Sequence, residues 1–104
     1  ELQAMQAFQS VTNDGAPVIV LNHNPDGKDD CRRYRWDLML CGHTHGGQVI
    51  VPFYGPPIVP VIDTRYAVGL NRFEDRWIHT TRGVGNVRGL RVNCRPEVSL
   101  LLVS

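Results

Sequence analysis

The sequence from Asp37 to Val51 reads DLMLCGHTHGGQVIV, and the rest of the chain is organised around this stretch. A short apolar run leads into two histidines, His43 and His45, that are two residues apart. In an extended backbone, residues two apart point to the same side, so both imidazoles can face one site. The flanking glycines allow a sharp turn and a close backbone approach. The pattern predicts metal ligands at the end of a strand, and the alternative is two ordinary histidines in a strand-to-loop turn.

A second buried strand is predicted over Val18 to Leu21, because this run is continuously apolar and mostly β-branched. It ends in a polar turn that carries His23. Open α/β sheets place their chemistry at the carboxyl ends of parallel strands. If the two strands are neighbours, His23 joins His43 and His45 at one edge, where neutral imidazoles suit Zn²⁺, Fe, Mn²⁺ or Ni²⁺. The residues alone thus permit a mononuclear three-histidine site with an open water position.

The remaining elements are predicted to be short. Apolar spacing and turn signals predict helices over Glu1–Val11 and Asp29–Arg35. A strand is predicted to resume at Gln48, after the turn with the two histidines. Further strands are predicted over Thr64–Gly69, Arg76–Thr81, Arg91–Cys94 and Glu97–Val103. Four prolines between Pro52 and Pro60 exclude a helix or a central strand there and favour a packed loop over a lid or an apolar docking surface. His79 lies in the middle of a predicted strand, which favours a structural role.

Length and composition limit the number of domains and the class of protein but do not indicate a function. A chain of 104 residues forms one domain at most, and 42% hydrophobic residues are ordinary for a globular protein. Eleven basic against ten acidic side chains leave a formal charge of +1, so no nucleic-acid partner is expected. The arginines at 32, 33 and 35 fit a solvated face. No apolar run approaches the roughly 20 residues that span a bilayer, and the first residue, Glu1, indicates a chain that begins inside a longer polypeptide.

The three cysteines, Cys31, Cys41 and Cys94, are too few and too far apart for a disulfide framework. A reducing compartment is the default expectation, and one disulfide with one free thiol is the alternative.

Three segments together resemble the C-terminal half of the calcineurin-like metallophosphoesterases, most nearly the bacterial YkuE/YaeI-type phosphodiesterases. They are residues 18–26, with an apolar strand ending in His-Asn-Pro-Asp; residues 37–49, with Gly-His-Thr-His-Gly-Gly-Gln; and residues 83–98, with a glycine-rich loop before Pro-Glu-Val. The resemblance implies an α/β (α+β) fold, in which residues 1–104 are the C-terminal portion of one four-layer α/β/β/α sandwich domain. This portion would be mostly β-strands with one or two short helices.

The resemblance also implies roles for individual residues. His23 and His43 match ligands of the second metal, and His45 matches a ligand of the first metal. Two divalent transition-metal ions (Mn, Fe, Zn or Ni) would bind the phosphate oxygens and activate a hydroxide for in-line attack on a phosphodiester. Arg91, and after it Arg88, are candidates for binding the substrate phosphate, because guanidinium pairs bidentately with phosphate.

The departures from the family pattern limit what this chain can do alone. The family motifs Asp-x-His, Gly-Asp-x-x-Asp and Gly-Asn-His-Glu or -Asp do not occur in the sequence, and Gly85-Asn86 is followed by Val87. The bridging carboxylate, the asparagine ligand and the general-acid histidine would therefore belong to a missing N-terminal half. Cys41 stands where relatives often have serine, and a buried inert thiol is favoured over a ligand. We expect the chain alone to bind at most one metal ion weakly and to have negligible phosphodiesterase activity.

Three hypotheses follow. The first is a fragment of a dinuclear metal-dependent phosphodiesterase, whose substrate, by analogy with its relatives, is a lipid- or envelope-linked phosphodiester. Its location would be the cytoplasm or, through peripheral membrane contact, the cell envelope of a bacterium. The second is a stand-alone three-histidine metal-binding module. The third is a non-catalytic interaction fragment, with Phe53 and Tyr54 of the proline-rich loop on the binding surface.

Overall fold

The structure is a computed structural model, and it describes residues 2–11, 14–44, 61–85 and 91–103. In chain order its elements are α1 (Leu2–Phe8), β1 (Ile19–Leu21), a 3-10 turn (Pro25–Gly27), α2 (Lys28–Cys31), β2 (Leu38–Cys41), a second 3-10 turn (Thr64–Tyr66), β3 (Gly69–Phe73) and β4 (Arg76–Thr80). The mixture of short helices and a four-stranded sheet confirms the α/β class and is consistent with part of a metallophosphoesterase fold.

The four strands form one sheet in the order β1-β2-β4-β3. β1 pairs with β2 in parallel, with Leu21 opposite Leu40, and β2 pairs with β4 in parallel, with Cys41 opposite Thr80. β3 and β4 form an antiparallel hairpin. The carboxyl ends of β1, β2 and β4 therefore meet at one edge of the sheet. The predicted neighbourhood of the first two strands is confirmed, and with it the expectation that His23 and His43 share an edge.

The core lies on one face of the sheet. Alternate residues of β2 and β4 point to this face, and Met39 and Ile78 are completely buried there. Trp36 stacks on Phe73 with ring centroids 6.1 Å apart, and its indole N–H donates to the carbonyl of Cys31 at 3.0 Å. Both helices belong to this side, since Cys31 of α2 and Phe8 of α1 pack on the same cluster.

The opposite face of the sheet is apolar and exposed. This open face comprises Ile19, Leu21, Leu70 and Trp77, whose side chains are 49%, 79%, 56% and 41% exposed. The prediction that the first strand is buried on both sides is therefore wrong. β1 is an edge strand, and the described residues leave its outer face uncovered although its composition is that of a buried strand.

The strand predicted over Thr64–Gly69 is wrong, whereas the strand predicted over Arg76–Thr81 is confirmed as β4. The segment from Thr64 begins with a 3-10 turn, because the Asp63 side chain accepts a hydrogen bond from the Arg65 amide and caps it. The first strand of the hairpin, β3, consequently lies later than predicted, and the turn is at Glu74 and Asp75, where Glu74 has a φ of 57°. β3 takes in Asn71 to Phe73, which lie beyond the predicted strand.

Neither of the two predicted C-terminal strands forms. Val92 makes a single isolated bridge, and residues 94–103 have no regular secondary structure. A β-strand exists only with a partner to accept its backbone hydrogen bonds, and no described strand lies alongside this tail. The two helices are confirmed in place, although α1 ends at Phe8 and α2 is one turn that ends at Cys31. The strand predicted from Gln48 and the proline-rich loop lie outside the described residues.

Candidate metal centre

The turn that carries His23 is built by asparagine side chains. Asn24 caps the 3-10 turn, since its side-chain oxygen accepts a hydrogen bond from the Asp26 amide at 2.9 Å, and Pro25 occupies the first position of that turn. The Asn22 amide side chain donates to the carbonyl of Asn24 at 2.7 Å. A Cβ at Gly27 would lie 1.8 Å from that side-chain nitrogen, so any other residue there would displace the Asn22 side chain. These bonds fix the course of the chain on both sides of His23.

The turn that carries His43 is bonded directly to the first turn. The Gly42 amide donates to the carbonyl of His23 at 3.1 Å, and the Thr44 amide donates to the carbonyl of Gly42 at 2.8 Å. His43 has a φ of 70°, in the left-handed region that few non-glycine residues adopt. Such a conformation costs of order 1–3 kcal/mol and persists where the surroundings over-determine it, often at functional sites. The two hydrogen bonds made by the amides of Gly42 and Thr44, one on each side of His43, provide that constraint.

The result is a close pair of imidazoles at the carboxyl edge of the sheet. The ring centroids of His23 and His43 are 4.4 Å apart with an interplanar angle of 48°. His23 is exposed and His43 is half-buried, so both rings are accessible. Two imidazoles in this arrangement fit part of a transition-metal site. Within the described ranges, however, no group of three or more His, Cys, Asp or Glu side chains is placed to hold an ion, so the set found there is incomplete.

The other candidates are placed as follows. His45 and Arg88 lie outside the described residues, and their predicted roles stay predictions. Arg91 donates to the carbonyls of Gly85 (3.0 Å), Cys94 (3.0 Å) and Arg82 (2.9 Å). Its guanidinium thereby braces the loop that follows β4. A role of Arg91 in phosphate binding also stays a prediction, and it would require the side chain to exchange some of these carbonyls for phosphate oxygens.

His79 is closer to the candidate centre than its position in the sequence suggests. It is half-buried in β4 and lines, together with His23, a cavity of about 520 Å³ whose wall also includes Leu40, Thr81 and Ser99. The signal that could have revealed this was the parallel pairing of β4 with β2, which places His79 opposite Leu40. The sequence alone does not determine that pairing.

The thiol of Cys41 belongs to the core. Cys41 is 6% exposed, and desolvation together with the nearby Cys31 raises the pKa of its thiol to about 12. A thiol with that pKa is protonated at neutral pH and is a poor metal ligand. Cys31 and Cys94 are likewise buried, and neither forms a disulfide.

A third segment contacts both histidine turns, and no pattern in the sequence predicts this contact. The Asp26 carboxylate accepts hydrogen bonds from the amides of Ile62 (2.8 Å) and Asp63 (3.1 Å). The Thr44 hydroxyl donates to the carbonyl of Ala67 at 2.6 Å. We call residues 62–67 the bridging segment, because it is bonded to the His23 turn at one end and to the His43 turn at the other.

Among the described residues, none of the helices is long and apolar enough to cross a membrane.

Comparison with known proteins gives relatives among the curated sequences. The chain is 62% identical over 85 residues to phosphodiesterase YaeI of Escherichia coli, a match that covers 82% of this chain and 32% of YaeI. It is 40% identical over 83 residues to the uncharacterized metallophosphoesterase YkuE of Bacillus subtilis, covering 79% of this chain and 29% of YkuE. It is 31% identical over 99 residues to the UDP-2,3-diacylglucosamine pyrophosphatase LpxG of Chlamydia trachomatis, covering 86% of this chain and 30% of LpxG.

The chain thus spans about a third of the length of the curated relatives it matches. No family model matches the chain, and no solved structure matches it significantly.

Proposed function

The chain is a homologue of the bacterial phosphodiesterase YaeI and metallophosphoesterase YkuE, and from this premise we propose that it is the C-terminal portion of a metal-dependent phosphodiesterase domain. The observation that carries the proposal is the 62% identity with a phosphodiesterase over 82% of the chain. The paired imidazoles of His23 and His43 support it, because they lie where the family resemblance requires two metal ligands.

His23, His43 and His45 would hold divalent transition-metal ions through neutral imidazole nitrogens, with Mn, Fe, Zn and Ni all suited to such donors. When bound, a pair of such ions supplies Lewis-acid stabilisation of the phosphate oxygens and an activated hydroxide for in-line attack on phosphorus. The part of this chain is to fix the ligands. The backbone bond between Gly42 and His23 keeps the two turns in contact, and the bridging segment braces both turns from one side.

The described residues supply no carboxylate ligand at the histidine pair. Both carboxylate oxygens of Asp26, the acidic residue of the His-Asn-Pro-Asp motif, accept hydrogen bonds from backbone amides. A dinuclear site held by histidines alone would leave the repulsion between two dications uncompensated. The carboxylates would therefore come from a missing N-terminal half, and the open face of the sheet offers an apolar surface for that half to cover. On this proposal the chain alone has negligible activity.

The substrate is proposed to be a phosphodiester or related phosphoester. LpxG is named for hydrolysis of UDP-2,3-diacylglucosamine, which carries acyl chains. A lipid- or envelope-linked substrate would accordingly suit the protein, with peripheral contact between the enzyme and a membrane.

The experiment compares the complete polypeptide with the isolated 104-residue chain. Each is assayed against bis(p-nitrophenyl) phosphate with added Mn²⁺ or Zn²⁺, and bound metal is counted by mass spectrometry. We expect the complete polypeptide to bind two ions and to turn over substrate, and the isolated chain to do neither. In the complete polypeptide, His43→Ala should lose a metal ion, whereas Leu2→Ala, on the exposed side of α1, should keep both.

Two results would contradict the proposal. If the complete polypeptide shows no metal-dependent turnover, it is not a phosphodiesterase. If the isolated chain folds and binds one Zn²⁺ tightly, with all three histidines required, the three-histidine module replaces the proposal.

A further inference from the structure

A buried lysine lies immediately after the His23 turn. Lys28 is 2% exposed, although lysine is among the residues least often buried. Its ammonium lies 3.1 Å from the Asp29 carboxylate and 3.3 Å from that of Asp63. It also lies 5.0 Å from the ring centroid of Tyr66 and 5.7 Å from that of Phe73, within cation–π range. Burial of a cation is costly without such partners, so this position is specified in detail.

These contacts make Lys28 the second connection between the His23 turn and the bridging segment. The first connection is the Asp26 carboxylate on the amides of Ile62 and Asp63, and Lys28 adds the side chain of Asp63. Asp26 and Lys28, which make the two connections, lie within five residues after His23.

The bridging segment is itself held to the sheet and to the second turn. The Thr80 hydroxyl of β4 donates to the carbonyl of Tyr66 at 2.8 Å, and the Thr44 hydroxyl donates to that of Ala67 at 2.6 Å. All four groups named here are buried. The segment is therefore a fixed platform, to which the His43 turn is attached by Thr44 and the His23 turn by Asp26 and Lys28.

From this arrangement we propose that Lys28 is a positioning residue for the metal centre: it fixes the His23 turn on the bridging segment and so sets the separation of the His23 and His43 imidazoles. This inference rests on the proposed function, since it assigns Lys28 a role in the same centre. Metal ligands need outer residues that orient them, and loss of such residues typically costs about 10–100-fold in metal affinity or activity.

The chain offers a matched control on the same carboxylate. Arg65 is bonded to Asp63 through two hydrogen bonds, at 2.9 and 2.7 Å, but its side chain is 77% exposed and makes no connection to the His23 turn among the described residues. Lys28→Met and Arg65→Met each remove one positive charge beside Asp63 and keep most of the aliphatic stem. In each variant Asp63 retains one cationic partner, so neither leaves a buried charge uncompensated.

The test uses the complete polypeptide and three measurements. In the metal-free protein, the nuclear Overhauser effect between the rings of His23 and His43 should weaken in Lys28→Met and persist in Arg65→Met. The dissociation constant for Zn²⁺ should rise about 10-fold in Lys28→Met and stay within about 2-fold in Arg65→Met. Turnover of bis(p-nitrophenyl) phosphate should lose about 10-fold in kcat with KM little changed in Lys28→Met, because ligand geometry rather than substrate contact is altered.

The outcomes separate the hypotheses. If Lys28→Met lowers Tm but leaves the ring contact and the Zn²⁺ affinity of the wild type, Lys28 only stabilises the fold and the inference is wrong. It is also wrong if both variants weaken Zn²⁺ binding equally. If the wild type itself has neither Zn²⁺ affinity nor turnover, the proposed function fails, and the ring contact in the metal-free protein still decides the positioning role. Should Lys28→Met not fold, Asp63→Asn removes the carboxylate charge that Lys28 contacts and leaves Lys28 in place with Asp29, and unchanged Zn²⁺ affinity in that variant would overturn the proposal.

Discussion

Replacing Thr44 by valine removes one buried hydroxyl that joins the His43 turn to the bridging segment. Thr44 is 1% exposed, its hydroxyl donates to the Ala67 carbonyl at 2.6 Å, and Ala67 is also 1% exposed. Valine has nearly the same shape but cannot donate, so the change tests the hydrogen bond rather than the packing.

The expected loss follows from these contacts. A buried carbonyl left without its donor costs about 1–3 kcal/mol. The methyl group that replaces the hydroxyl gains back about 0.8 kcal/mol of apolar burial. Thr44→Val should therefore lower the free energy of unfolding by about 0.2–2 kcal/mol, with about 1 kcal/mol as the central value.

Urea unfolding followed by the fluorescence of the buried Trp36 measures this loss, provided that the dependence on urea concentration keeps its slope. Thr64→Val is the matched control, because Thr64 is exposed, and it should change the free energy of unfolding by no more than about 0.5 kcal/mol. If Thr44→Val were as stable as Thr64→Val, the hydroxyl would not hold the turn, and the account of the bridging segment as a common platform would be refuted.

Three other predictions concern acidity, the core and thiol reactivity. The ion pairs of Asp63 hold the pKa of its carboxyl well below the usual value of about 3.9. The stabilisation from these ion pairs is therefore present above that pH and is lost as the pH falls below it. Acid unfolding should be less steep in Asp63→Asn, and an unchanged profile would contradict the ion pairs. Met39→Ala should lower the free energy of unfolding by about 2–5 kcal/mol because Met39 is fully buried, whereas Leu2→Ala on the exposed side of α1 should have little effect in the same urea titration. Cys41 should resist iodoacetamide at pH 8 until urea unfolds the protein, and mass spectrometry showing early alkylation would exclude a buried, protonated thiol.

The sequence predicted the parts of the fold that depend on local pattern. The apolar run before Gly42 predicts β2 and its turn, and the family resemblance is confirmed by the homology to YaeI. The predicted neighbourhood of the first two strands, which brings His23 beside His43, is confirmed by the pairing of β1 with β2. Both features follow from residues close together in the chain and from the rule that parallel strands end at one edge.

The features that the sequence did not predict depend on distant partners. The composition of β1 indicates a buried strand, yet its burial is set by what covers the sheet, and the described residues leave that face open. Gly69 begins β3 with a φ of 80°, whereas the sequence predicts a strand that ends at this residue. Lys28 is a residue type found mostly on surfaces, and only the three-dimensional arrangement of Asp63, Tyr66 and Phe73 explains its burial.

The order of the strands also has a consequence for how the chain folds. β3 and β4 are joined by a two-residue turn, whereas the pairing of β2 with β4 closes a loop of roughly 35 residues, which costs about 2.5 kcal/mol more in chain entropy. The hairpin should therefore form early, and β2 should dock on it afterwards. The two imidazoles depend on that late docking, so a folding intermediate with the hairpin intact would have no assembled metal centre. Metal binding would then stabilise only the final state and would act on the rate of unfolding rather than on the rate of folding.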